Sequence, residues 1–163
     1  TKYAKTLHRA LASLDNVKLR TWAFSGNRKN EKLTPVVEIP YDRLDNIQCE
    51  QHNIFTHTWN AIAHVANKMR GSTGKKLMIV LTDGMPEAGT ERINKIQATK
   101  EAVEYSFLTG TKVYVIKVGG QDHHLMKDIF GPKTNWTEVA DMEDAEKHLW
   151  SQVVKAVYRT LVQ

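Results

Sequence analysis

A short apolar run, LMIVL at residues 77–81, limits the possible folds more than any other part of this chain. It follows Lys75 and Lys76 and stops abruptly at Thr82-Asp83-Gly84. A strand covered on both faces is apolar at every position, whereas a strand with one face in water alternates. The run therefore predicts an inner strand of a parallel sheet that has helices on both faces.

Helical and β-forming patterns alternate along the rest of the chain. Apolar periodicity predicts helices at residues 2–14, 56–69, 91–108, 123–130 and 142–161, and strands at residues 17–24, 36–39, 112–118 and 136–141, the second of them flanked by Pro35 and Pro40. We expect the following helix residues to face inward: Trp59, Ile62, Ala66, Met69, Ile93, Ile96, Val103, Phe107, Leu149, Val153, Ala156 and Thr160. This order predicts one α/β domain over residues 1–163, with a doubly wound, mostly parallel sheet.

The chain opens inside a predicted helix, and no strand precedes it. Folds of this class normally begin with a central strand. We therefore expect that the sequence lacks its natural beginning. The absent strand would lie in the middle of the sheet.

Charge and cysteine content narrow the classes of partner. The net charge is +5, but the basic residues are spread over separate loops and are not interleaved with aromatic side chains that stack on bases. This pattern argues against nucleic-acid binding. A single cysteine, Cys49, excludes an internal disulfide and points to a reducing compartment such as the cytoplasm. No apolar run reaches the roughly 20 residues that span a bilayer.

Several common chemistries do not fit the motifs present. The segment GSTGKK at residues 71–76 precedes a strand rather than a helix, the reverse of a P-loop. VGGQD at residues 118–122 lacks the glycine spacing of a dinucleotide-binding turn. His57 and His64 could share a helix face, but no Cys or carboxylate completes a tetrahedral metal site.

Asp83 has two possible roles. It can cap the following helix in an Asp-Gly turn. It can also face a ligand at the carboxyl edge of the sheet, where open α/β folds bind ligands. FTHT at residues 55–58 starts a predicted helix and adds hydroxyl oxygens. Carboxylate and hydroxyl oxygens are ligands that suit Mg²⁺.

FTHTWNAIAHVANKM followed by KKLMIVLTDG resembles the second and third motifs of the von Willebrand factor A (vWA) family. The resemblance implies a metal-ion-dependent adhesion site in which Thr56 and Asp83 bind Mg²⁺, or Mn²⁺ or Ca²⁺, while Thr58 enters the helix. The family's first motif, Asp-x-Ser-x-Ser, does not occur in these 163 residues. The resemblance thus implies bound metal only if an absent segment supplies that motif.

The resemblance also implies a function. In this family an acidic side chain of a partner protein completes the metal's coordination. Compact loops and one cysteine make the chain similar to intracellular chelatase-type subunits that work with AAA+ ATPases. We therefore expect a cytoplasmic interaction domain rather than an enzyme. The alternative is a hydrolase or nucleotide-binding α/β domain in which Asp83 is a catalytic carboxylate.

Overall fold

The computed structural model describes residues 2–24, 36–46, 57–82, 92–119, 125–139 and 142–162. Helices and strands alternate over most of these ranges, as the sequence predicts. Their order is α1 (Lys2–Ala12), β1 (Trp22–Ala23), β2 (Val37–Glu38), a 3₁₀ helix (Tyr41–Asn46), α2 (Thr58–Met69), β3 (Lys76–Thr82), α3 (Arg92–Leu108), β4 (Thr111–Val118), α4 (Met126–Phe130), β5 (Asn135–Val139) and α5 (Met142–Val162).

The main sheet is parallel and has the strand order β3-β4-β5. In its register Met78 lies opposite Val113, and Val80 lies opposite Val115. The prediction that residues 77–81 and 112–118 form adjacent parallel strands is confirmed. Helix α3 connects these two strands, as a parallel crossover requires.

Helices cover both faces of this sheet. On one face, Val80 of β3 and Val115 of β4 belong to an apolar cluster with residues of α2, α3 and α4. On the other face, Tyr114 and Ile116 of β4 pack with residues of α1 and α5. Successive side chains along a strand point to opposite faces of the sheet. The continuous apolar run at residues 77–81 therefore contributes side chains to both clusters. The predicted α/β class is therefore correct.

The first predicted strand is much shorter than expected. Only Trp22–Ala23 is a strand, and it pairs antiparallel with Val37–Glu38 in a separate two-stranded ribbon. Beside this ribbon, the guanidinium of Arg20 donates two hydrogen bonds to the Glu38 carboxylate, at 2.8 and 2.7 Å. The prediction of a strand over residues 17–24 was wrong at its start. Residues 17–20 alternate in sequence, but no strand in the described part of the chain pairs with them, whereas the carbonyl of Thr21 accepts the N–H of Ile39 at 2.8 Å.

The helices agree closely with the predicted ranges. Val103, Val153 and Ala156 are buried as expected. In α2 the buried face is rotated slightly from the predicted one. Ala61 and Val65 are buried, while Trp59 and Met69 are only partly buried. The side chains of Ile93 and Leu149 lie outside the described part. None of the helices that the structure describes is both long and apolar enough to cross a membrane.

The 3₁₀ helix was not predicted. Its anchor is Leu44, which is fully buried, and the helix packs against α1. Between them, the ring of His8 meets the ring of Tyr41 edge-on, with centroids 4.8 Å apart. A single apolar side chain in an otherwise polar segment leaves no periodic pattern, so the sequence did not reveal this element.

Candidate functional site

The start of α2 and the end of β3 lie at the same edge of the sheet. Only residues 70–75 connect α2 to β3, so the helix and the strand run in opposite directions beside each other. Twelve helical residues span roughly 18 Å, and seven strand residues span about 23 Å. The chain therefore enters α2 near the edge at which β3 ends, which is the carboxyl edge of the sheet.

Two threonines flank this edge, and both are buried. Thr58 is the first residue of α2, as predicted for the helix-entering threonine, and it is 1% exposed. Thr82 is the last residue of β3 and is 8% exposed. His57 precedes the helix, and its carbonyl accepts the N–H groups of Asn60 and Ala61 at 3.1 and 3.2 Å.

A buried lysine lies next to Thr82 in the sheet. The register aligns Thr82 with Lys117 of β4, and Lys117 with Glu138 of β5, so the three side chains share one face. The ammonium of Lys117 is fully buried and donates to a Glu138 carboxylate oxygen at 3.1 Å. It also donates to the carbonyl of Gly119. Sequence reasoning missed this pair, although a lysine inside the apolar run VYVIKVGG was a signal for it.

Gly119 begins the segment that follows β4 at the same edge. Its φ of 100° is a left-handed conformation that glycine adopts without steric cost. Its N–H donates to the carbonyl of Val139 at 3.0 Å, and its carbonyl accepts from Lys117. The ends of β4 and β5 are thus tied together by backbone and side-chain contacts.

The family model for the von Willebrand factor type A domain matches residues 6–150. The chain belongs to this family. Among curated proteins, a search found no match to this sequence. vWA domains commonly mediate protein–protein interactions, so the general expectation of an interaction module holds for this chain. The match leaves the last part of α5 outside the family region.

Both predicted metal ligands of this vWA domain, Thr56 and Asp83, lie outside the described residues. Thr56 comes two positions before α2, and Asp83 comes directly after β3. Their roles stay predictions. Within the described ranges of the vWA domain, no three His, Cys, Asp or Glu side chains gather into a group that could hold a metal ion.

A cation–π contact lies beside the start of α2. The ammonium of Lys95 in α3 is 4.3 Å from the centroid of the Trp59 ring, and the His57 ring is 4.7 Å from the same ring. These contacts tie the first turns of α2 and α3 together. In this vWA domain they hold the entry to α2 beside the carboxyl edge.

Proposed function

We propose that this vWA domain is a metal-dependent interaction module. In it, Thr56 and Asp83 hold a Mg²⁺ ion, and an acidic side chain of a partner protein binds as a further ligand. Mn²⁺ or Ca²⁺ can take the place of Mg²⁺. The observation that carries the proposal is the common edge of α2 and β3 in a chain of this family.

The local chain path supports this pair of ligands. Thr56 precedes the buried Thr58 by two residues, and Asp83 follows the buried Thr82. Since α2 starts and β3 ends at one edge, a cation at that edge is within reach of both segments. A hydroxyl and a carboxylate are hard oxygen donors, which suit Mg²⁺. A cation held in a partly dry cleft attracts a carboxylate strongly.

Two protein ligands leave most of the roughly six Mg²⁺ positions open. Waters can fill open positions, but a site with two protein ligands is weak, so tight binding needs further protein oxygens. We propose that they come from a strand that carries Asp-x-Ser-x-Ser and pairs with β3. Among the described residues, no strand pairs with the edge of β3 that faces away from β4.

We further propose that the partner is an AAA+ ATPase in a chelatase-like complex, and that this complex works in the cytoplasm. The support is the resemblance of the compact loops and the lone Cys49 to intracellular members of the family. On this proposal the domain is not itself the enzyme. It recognises an acidic residue of the ATPase, and the bound metal makes that recognition selective for a carboxylate.

The test uses the full-length protein with Mn²⁺ as the probe, since bound Mn²⁺ is measured directly by electron paramagnetic resonance. We expect Asp83→Ala to weaken Mn²⁺ binding by more than about a hundredfold, because even an outer-shell partner is worth 10–100-fold. Thr56→Ala should weaken it less, because a hydroxyl is a neutral ligand. Asp128→Ala, at an exposed carboxylate on α4, is the matched control and should change nothing.

The second arm measures binding to purified AAA+ ATPases of the same organism, with Mg²⁺ and with EDTA. Binding that needs Mg²⁺ and is lost in Asp83→Ala supports the full proposal. Binding that persists unchanged in EDTA rules out recognition through a metal. Tight Mn²⁺ binding without any ATPase binding would leave the metal site standing and reject the chelatase-like partner.

A further inference from the structure

The last three turns of α5 carry an exposed apolar stripe. Its members are Val154, Tyr158 and Val162, which are 37%, 65% and 63% exposed. Residues spaced four apart lie on one face of a helix. The buried residues Val153 and Val157 lie beside this stripe on the wheel, so the apolar arc of α5 extends beyond the part that the sheet covers.

Basic residues border the stripe on one side. Lys155 and Arg159 are exposed and follow Val154 and Tyr158 by one position each, about 100° further around the helix. Neither residue forms an ion pair with any described carboxylate. The surface made by Val154, Tyr158, Val162, Lys155 and Arg159 is called the α5 stripe below.

The α5 stripe is separate from the proposed metal site. Tyr158 lies 16 residues after the start of α5, which is about 24 Å along the helix. The family match ends at residue 150, before the first residue of the stripe. The surface therefore belongs to a part of this chain that lies beyond the matched family region.

We propose that the α5 stripe binds an amphipathic helix of a partner protein, with apolar residues along its seam and acidic residues at its flank. The three exposed apolar side chains occupy positions i, i+4 and i+8 of α5. They cover about 12 Å of helix, which matches the apolar seam of a second helix. Lys155 and Arg159 then meet the acidic flank. Tyr158 is the central anchor, since a tyrosine supplies a large apolar area and a polar tip.

The charges favour a different protein over a second copy of this chain. Two copies packed stripe to stripe with antiparallel helices would bring Lys155 and Arg159 of one copy close to those of the other. Like charges across an interface cost free energy, and the chain already carries a net charge of +5. An acidic helix removes this repulsion and gains attraction.

The test uses two synthetic amphipathic peptides of about 20 residues, long enough to be marginally helical. Both have leucine at the a and d positions, and they carry either glutamate or lysine at the e and g positions. Binding to the labelled peptides is measured by fluorescence anisotropy. The wild-type protein should bind the glutamate peptide at least about tenfold more tightly than the lysine peptide, as expected for complementary charges.

Two double variants separate the apolar and charged parts of the stripe. Val154→Ala with Tyr158→Ala should weaken binding of the glutamate peptide by about tenfold or more, because it removes the anchor. Alanine keeps the helix, which circular dichroism checks. Lys155→Glu with Arg159→Glu should reverse the preference between the peptides. Leu108→Ala and Lys133→Glu, at exposed positions on other elements, are matched controls and should leave both affinities unchanged.

Three kinds of result would overturn the inference. The first is equal binding of the two peptides by the wild-type protein, or no loss in the double alanine variant. The second is a dimer of the wild-type chain in sedimentation that the double alanine variant dissociates, since a second copy would then cover the stripe. The third is binding to phosphatidylserine vesicles that the same variant loses. EDTA should have no effect, so failure here does not bear on the metal site.

Discussion

His8 illustrates how one partly buried side chain sets a pH dependence. Its Nδ1 is buried and has no hydrogen-bond partner in the described part of the chain. Burial lowers the pKa of His8 below its ordinary value of 6.5, since the charged ring is poorly solvated there. Lys5 and Arg9 flank His8 on α1, and both reach toward the Tyr41 ring that packs on it. The neutral ring is therefore the form that fits the folded state.

This depressed pKa predicts lower stability in mild acid. As the pH falls through about 6.5, the unfolded chain takes up a proton at His8 while the folded chain resists it. The free energy of unfolding should therefore decrease as the pH is lowered, until the pH is below the folded-state pKa. His8→Phe keeps a ring against Tyr41 but cannot titrate, so it should flatten this slope. Urea unfolding between about pH 7 and about pH 5 measures the effect.

Tyr41→Phe is the control for the ring contact. It keeps the aromatic ring beside His8 and removes only the hydroxyl that accepts from Arg9 at 2.5 Å. Its slope with pH should match that of the wild type. If His8→Phe retains the full wild-type slope, His8 is not the group responsible.

The strands β4 and β5 are joined by more than their backbone ladder. Lys117 and Glu138 lie opposite each other in the parallel register, and their side chains form an ion pair near the carboxyl edge. Lys117 is fully buried, whereas the Glu138 side chain is 29% exposed. The two members of the pair therefore depend on each other unequally. The lysine has no access to water, while the glutamate keeps some.

This inequality predicts different costs for the two single substitutions. Among the described residues, Glu138→Ala leaves the buried ammonium with the Gly119 carbonyl as its one partner, and it should lower the free energy of unfolding by about 3 kcal/mol. Lys117→Met removes the buried charge and fills its space with an apolar chain. The remaining carboxylate can reach water, so the cost should be about 1 kcal/mol or less. Urea unfolding of both variants measures the difference.

Glu38→Ala is the control, because it breaks the exposed ion pair with Arg20 on the ribbon. It should lower the free energy of unfolding less than Glu138→Ala does, since exposed pairs are screened by water. Equal losses in Lys117→Met and Glu138→Ala would contradict the argument. They would show that the pair is stabilising as a unit.

At the scale of the whole molecule, β3 has an unusual position. It is apolar on both faces, as an inner strand should be, yet among the described residues it pairs only with β4. The ribbon of β1 and β2 forms a separate sheet and does not close onto it. Unpaired amide and carbonyl groups along a strand edge are a template for another strand.

We predict that a strand from outside this sequence, either upstream or on another chain, pairs with this edge in the intact protein. Alternate amides of β3 point toward β4 and away from it. Both sets should then be protected from hydrogen exchange, because each buried peptide group left unpaired costs about 1–3 kcal/mol. Exchange of the full-length protein, resolved by residue in β3, measures this. Rapid exchange of only the amides that point away from β4 would show an open edge.

Local periodicity in the sequence was enough to identify most elements and their buried faces. The run at residues 77–81 predicted a strand covered on both sides, and Val80 and Leu81 do pack toward opposite clusters. The parallel pairing of β3 with β4 also followed, because a long helix lies between them. These features depend on which side chains avoid water, and the spacing of apolar residues along the chain indicates those side chains.

The candidate site was predictable only as a set of residue types. TDG after an apolar run and threonines at a helix start pointed to the carboxyl edge, and the described ends of α2 and β3 meet there. A lysine inside an apolar run signalled a buried charge, but its pairing with Glu138 could not be foreseen in the same way. It depends on the register between two strands 21 residues apart, which no local pattern encodes.

By itself, then, the sequence determined the α/β class, the helices and the packing of β3 against apolar clusters on both faces. Only the tertiary structure decided how short β1 is, where the 3₁₀ helix packs, and that Lys117 is buried against Glu138. The physical reason is the range of the interactions. Apolar periodicity is local, since it reports the faces of one element at a time. Strand partners and buried charges depend on backbone groups and distant side chains, and backbone groups are alike in nearly every residue.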